Sequence, residues 1–146
     1  MDLEALLTDE LREAAEEDGY TLEYFDVESS TRRPPHAKVG VRVPGGEVLE
    51  GSFGGDGPID AIFHAINVAT GVDARLREFR IGAVTGGQDA LGETSIVVEV
   101  AGLSGSGQGV STDIVEAAAR GYVRALSNAV RRGRSEGEGA AVAGTP

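Results

Sequence analysis

The chain contains no cysteine, which excludes disulfides and thiolate metal sites. No apolar run approaches the ~20 residues that a membrane-spanning helix needs. The opening MDLEALLTDELREAAEEDG is too acidic for a secretion signal, so a cytoplasmic protein is expected. Lysine is almost missing: of 13 basic residues only Lys38 is one. Against 24 acids this leaves a net charge of −11, which repels phosphate backbones and anionic lipid. Neither nucleic acid nor a membrane is expected as a partner. The same balance suits a chain kept soluble in high salt, although GC-rich coding also favours arginine over lysine. The two histidines, His36 and His64, lie far apart, and no H-x-H or H-E-x-x-H spacing offers a metal site. Ser104, Ser106, Ser111 and Thr112 have no histidine nearby, so a catalytic triad is not supported. No cofactor is expected, and the chain by itself reads as a binding or assembly domain and not an enzyme.

What the chain does have is length enough for one domain, 146 residues, and strong patterning. Leu3, Leu6, Leu7, Leu11 and Ala14 recur at helical steps and predict a helix over 2–18, closed by Gly19. Tyr20, Leu22 and Tyr24, then Phe25 and Val27, alternate as a strand bulged near Phe25. After the proline-containing loop 31–37, Val39, Val41 and Val43 form a second strand, and Pro44-Gly45-Gly46 turns it into a third, EVLEGSF. A helix follows from about Pro58 to Ala69, with Gly71 as its C-cap.

The second half repeats that order. Residues 74–84 read as a strand with one slip, 85–93 as a loop and 94–100 as a strand. LSGSGQG reads as a short irregular strand, and Thr112 to Arg131 as a helix with Thr112 at its N-cap. Laying Gly51 on Gly107, an offset of 56 residues, puts Asp60-Ala61 on Glu116-Ala117 and Ile66 on Tyr122. The expected fold is α+β: two βββα units from an internal duplication, antiparallel sheets with helices on one side, related by a pseudo-twofold. The organisation is an N-terminal helix (1–19), a domain (20–132) of units 20–71 and 72–132, and a disordered tail (133–146).

Both units send a glycine-rich strand end into a helix N-terminus, where free N–H groups and the helix dipole favour an anion. Phosphate fits poorly. The P-loop lysine is missing, Gly105, Gly107 and Gly109 do not make a dinucleotide fingerprint, and Asp56, Asp89 and Asp113 would repel a diphosphate. A small zwitterion fits better, its carboxylate on N–H groups and its ammonium on an aspartate or backbone carbonyls. The plainer alternative is that the glycines only let two helices sit close to their sheets.

GDGPIDAIFHAI, VTGGQDALGETSIVVEV and GSGQGVSTDIVEAAARGYVRALSNAV closely resemble the C-terminal regulatory domain of 2-isopropylmalate synthase, versions of which occur in citramalate and homocitrate synthases. The resemblance covers about Tyr20 to Val130. It implies pairing with a copy in another subunit, with leucine or a related branched-chain amino acid bound near the subunit interface to inhibit a distant catalytic barrel. Carried over by motif, the binding residues are Gly55, Asp56, Gly57, Pro58 and Ala61 in the first unit. In the second unit they are Asp89, Ala90, Leu91, Gly107, Gly109, Asp113 and Ile114. The helix N-termini would take the ligand carboxylate, while Ala61, Ala90, Leu91 and Ile114 would line its apolar pocket. The family often has Asn where Asp56 stands, which changes the polarity of that contact. Residues 1–19 cannot replace the barrel, so a free-standing homodimer acting on a separate catalytic subunit is expected. The competing expectation is a ligand-free dimerisation module assembling a partner acyltransferase through the face of Val39, Val41, Ile96, Val98 and Val100.

Overall fold

The computed structural model of the chain describes residues 19–84 and 91–143, leaving aside the side chains of 84 and 136–143. The helix expected over 2–18 lies outside the described residues. Three strands, β1 (Thr21–Glu28), β2 (His36–Arg42) and β3 (Val48–Gly54), form an antiparallel sheet in that order and lead into α1 (Pro58–Thr70). Strands β4 (Arg75–Val84), β5 (Leu91–Val100) and β6 (Leu103–Ser111) form a second such sheet, followed by α2 (Ile114–Ala143). The architecture is the expected pair of βββα units.

Local chemistry sets the turns. Gly45 and Gly46 sit at φ 104° and 94° between β2 and β3, a conformation open mainly to glycine. Gly71, at φ 70°, ends α1 and returns its N–H to the Asn67 carbonyl. Each unit also carries one bulge in its first strand, between Leu22 and Tyr24 in β1 and between Leu76 and Glu78 in β4. The first bulge lies a little before Phe25 and brings Phe25 and Val27 onto the core side. The bulge residues are Glu23 and Arg77. Glu23 accepts from Arg42 Nε at 2.6 Å, and Arg77 Nε donates to Glu99 at 2.6 Å. The same clasp thus recurs with its charges exchanged. These exposed pairs are each worth under about 1 kcal/mol, so they mark the duplication more than they stabilise it.

Three boundaries differ from the sequence reading. Strand β5 begins at Leu91 because its ladder with β4 continues through Val84–Leu91, so Leu91 to Glu93 leave the expected loop. Strand β6 is regular over nine residues, since Gly105, Gly107 and Gly109 occupy alternate positions that face α2. Helix α2 runs on to Ala143, past the expected end of order at 132. Its extension, RSEGEGAAVA, lacks an apolar stripe but has no proline, and Arg, Glu and Ala favour helix.

The core lies between each sheet and its helix and is shared between units. Val39, Val41, Ile96 and Val98 are completely or almost completely buried beneath the helices. They therefore cannot form the outward interface expected of that face. Phe63 of α1 stacks on Tyr122 of α2 with ring centroids 4.2 Å apart and meets Phe79 of β4 edge-on at 6.0 Å. The Tyr122 hydroxyl donates to Asn67 Oδ1 (2.9 Å) and the Ala74 carbonyl (3.2 Å), and Asn67 Nδ2 also donates to Ala74 O (2.9 Å). Burial pushes the Tyr122 hydroxyl up to about 12. Among the described residues no helix is long and apolar enough to cross a membrane.

Candidate functional site

The sequence places its candidate residues at two helix entrances, and the structure gives these entrances different chemistry. At the first, Gly57 is the N-cap and offers no side-chain hydrogen bond, while Pro58 opens the helix without an N–H. Ala61 N–H bonds the Gly57 carbonyl at 2.9 Å. Asp60 reaches back with Oδ2 to the Asp56 N–H at 3.0 Å, and its Oδ1 lies 3.3 Å from His64 Nε2. Among the described residues no acceptor takes the N–H of Ile59 or Asp60. The first entrance therefore presents two unengaged donors at the positive end of a helix.

Helix α2 carries a side-chain cap, although among the described residues no acceptor takes the N–H of Ile114 or Glu116. Asp113 Oδ1 accepts the Val115 N–H at 2.9 Å, making Asp113, and not Thr112, the N-cap. Ser111 Oγ accepts the Asp113 N–H (3.1 Å) and donates to Glu116 (3.0 Å), which also pairs with Arg120 at 3.0 Å. The Arg120 guanidinium and then the Ser111 hydroxyl hold the Glu116 carboxyl below its usual range. This entrance has its anion already, in the Asp113 carboxylate.

The individual glycines separate into packing and open positions. A Cβ on Gly55 would fall 2.5 Å from Ala61 N, so Gly55 lets the loop lie on the first turn of α1. Gly107 and Gly109 lie in β6 against α2, where a Cβ would fall 2.4 Å from Ala125 N and 2.0 Å from Ala117 O. Gly57 is extended at φ −147°, and among the described residues nothing lies within 4 Å of a Cβ placed there. Ala61 is wholly buried in the core, so its side chain does not reach a ligand from this chain's surface. Leu91 opens β5 beside Gly92, which pairs with Ser111 and packs under Ile114. Leu91 and Ile114, both half-buried, thus flank the second entrance. Asp89 and Ala90 lie outside the described residues.

Both histidines flank β3. His36 Nε2 is 2.5 Å from Ser52 Oγ, and the His64 ring lies 5.3 Å from that of Phe53. Sequence reasoning passed over Asp60, whose carboxylate closes the first loop. Its signal was an acid three residues after the N-cap, the spacing of a capping box.

A cleft of about 750 Å³ lies elsewhere, lined by Tyr20, Glu78, Ser95, Gln108, Arg124 and Asn128 among others, and of the candidate residues only Gly107 touches it. Its polar groups are largely engaged already: Arg124 and Asn128 donate to the carbonyls of Gln108 (2.6 Å) and Ser106 (2.7 Å). Among the described residues no group of three or more His, Asp or Glu side chains is placed to hold a metal.

Comparison with known proteins agrees with this architecture. The sequence pattern of the LeuA allosteric (dimerisation) domain matches residues 1–130. A 2-isopropylmalate synthase of Carboxydothermus hydrogenoformans is 42% identical over 140 residues, 94% of this chain and 26% of its own length. Those of Pyrococcus furiosus (42% over 132 residues) and Acidimicrobium ferrooxidans (45% over 130) match 90% and 89% of this chain. The chain spans about a quarter of the length of these curated relatives, 26% and 25% for the latter two.

Proposed function

Since this chain belongs to the LeuA allosteric (dimerisation) domain family, we propose that it is the leucine-binding, self-associating regulatory module of a 2-isopropylmalate synthase. The observation that carries the reading is the contrast between the two caps: Asp113 sets its own carboxylate on the α2 entrance, whereas Gly57 brings no side chain to the α1 entrance, where the Ile59 and Asp60 N–H groups are unengaged. A leucine carboxylate bonds to those donors, and the exposed Asp56 carboxylate takes the ammonium. The resemblance puts the branched side chain near the subunit interface. Binding then favours the paired state and, by reciprocity, pairing tightens leucine. The chain itself performs no chemistry and acts on the acyl-transferring barrel.

Titration calorimetry with leucine, isoleucine and valine tests the proposal, with saturable heat expected for leucine. Gly57→Asp separates ligand binding from folding. Its extended backbone and open surroundings admit a side chain, and an acidic N-cap replacing glycine stabilises a helix by a few tenths of a kcal/mol. The melting temperature should hold or rise slightly while leucine affinity falls at least tenfold. Unchanged affinity would remove the first entrance from the site. No heat from the unaltered chain with any of the three amino acids would leave only an assembly role.

A further inference from the structure

The two units protect their sheet edges differently. In β6 the carbonyls of Ser104, Ser106 and Gln108 face away from β5, and one stripe of α2 seals them. Arg132 (3.3 Å), Asn128 (2.7 Å) and Arg124 (2.6 Å) each donate to one. The duplication offset maps these carbonyls onto Val48, Glu50 and Ser52 of β3, because Gly51 pairs with Val39 as Gly107 pairs with Ile96. The counterpart of Arg124 is Val68, and α1 ends at Gly71, before the places of Asn128 and Arg132. Among the described residues no side chain donates to the carbonyls of Val48, Glu50 or Ser52.

Apolar groups take the place of the missing donors. Val48, Phe53 and Val68 are 40%, 48% and 52% exposed along this edge. An unsealed strand with apolar flanks invites pairing with another strand. Charge is balanced there as well. In a chain of net charge −11 the sole lysine, Lys38, lies 3.3 Å from Glu50. Two copies of so acidic a chain repel each other least where their acids are already partnered.

We infer that the edge of β3, which no described side chain seals, is the seam at which a second copy of this chain docks, strand to strand. This rests on the reading that the chain self-associates. Antiparallel pairing of a strand with its own copy is a twofold operation, so the contact closes on itself. A register centred on Gly51 sets Glu50 opposite Ser52 of the second copy and Phe53 opposite its Leu49. That register keeps the two Glu50 carboxylates from facing each other and joins the two sheets into one of six strands.

Val68→Arg rebuilds on α1 the seal that Arg124 provides on α2. By sedimentation velocity on the full chain without leucine, it should raise the dimer dissociation constant at least 100-fold and leave the monomer folded by circular dichroism. Val110→Arg, at a position 47% exposed on the sealed strand, should stay dimeric. A Val68→Arg chain that dimerises as tightly as the unaltered one would overturn the seam, as would an unaltered chain that is monomeric at ~100 μM. A readout without mutation covers misfolding of the variant: the amides of Glu50 and Ser52 should exchange slowly when concentrated and quickly when diluted. Exchange independent of concentration would equally overturn it. Because none of these measurements contains leucine, loss of the ligand reading would leave this result standing.

Discussion

Tyr122→Ala should lower the free energy of unfolding by about 3–5 kcal/mol, the range for deleting a large aromatic side chain from a core. The ring is 2% exposed and stacks on Phe63, so its removal empties the layer where the two units meet. Urea denaturation should report the loss as a lower midpoint, with a fall in melting temperature of roughly 10 °C at this chain length. A cost below about 1 kcal/mol would mean that the units are held together elsewhere.

Tyr122→Phe isolates the hydroxyl. It keeps the ring but strands Asn67 Oδ1, at a cost of about 1–3 kcal/mol. The hydroxyl also sets an alkaline limit. Its pKa is raised to about 12 in the fold, mainly by burial, from 10.0 for the free group. The folded state thus holds the proton longer than the unfolded chain does. Stability is unaffected by this group below pH 10 and falls by about 1.4 kcal/mol per unit between 10 and 12. Tyr122→Phe should abolish that slope, and an equal slope in both proteins would assign the alkaline loss to other groups.

The order of elements was legible because alternation and helical spacing state directly which faces are buried. Val39, Val41, Ile96 and Val98 show it in the strands, and Ala61, Ala65 and Ala69 in α1. Strand β6 reads in the sequence as short and irregular because its buried face is made of Gly105, Gly107 and Gly109, which no hydrophobicity pattern registers. The information was nevertheless present. Glycine at every second residue faces Ala117, Gly121, Ala125 and Ala129 at every fourth, and a strand and a helix made small on facing sides can approach backbone to backbone. The difference between the two helix entrances was less visible. Asp113 reads equally well as a ligand group or as a cap, and only the 2.9 Å contact with Val115 N–H decides it. Nor does spacing alone show that Val68 stands where Arg124 seals the other unit; that follows from superposing two ladders.

Gly51→Ala and Gly107→Ala should each cost about 3 kcal/mol, at the upper end of what overpacking a core imposes. A Cβ on Gly51 would lie 2.3 Å from Ala65 O and 2.4 Å from Ala69 N, and one on Gly107 would lie 2.4 Å from both Gly121 O and Ala125 N. These are the same atoms displaced by the duplication offset. Each belongs to helix backbone, which cannot swing aside as the end of a side chain could. Ordinary contact for carbon begins near 3.5 Å, so each helix must lift by about an ångström and loosen the layer beneath it. Gly82→Ala is the control: among the described residues nothing lies within 4 Å of its Cβ, and its φ is not in the left-handed region. It should be neutral or stabilise by about 0.5 kcal/mol. The double variant Gly51→Ala/Gly107→Ala then asks whether the units are energetically separate. Independent seams give costs that add to within about 0.5 kcal/mol. A sum that falls short would mean that lifting one helix relieves the other through the Phe63–Tyr122 stack, making that stack the mechanical link between the units.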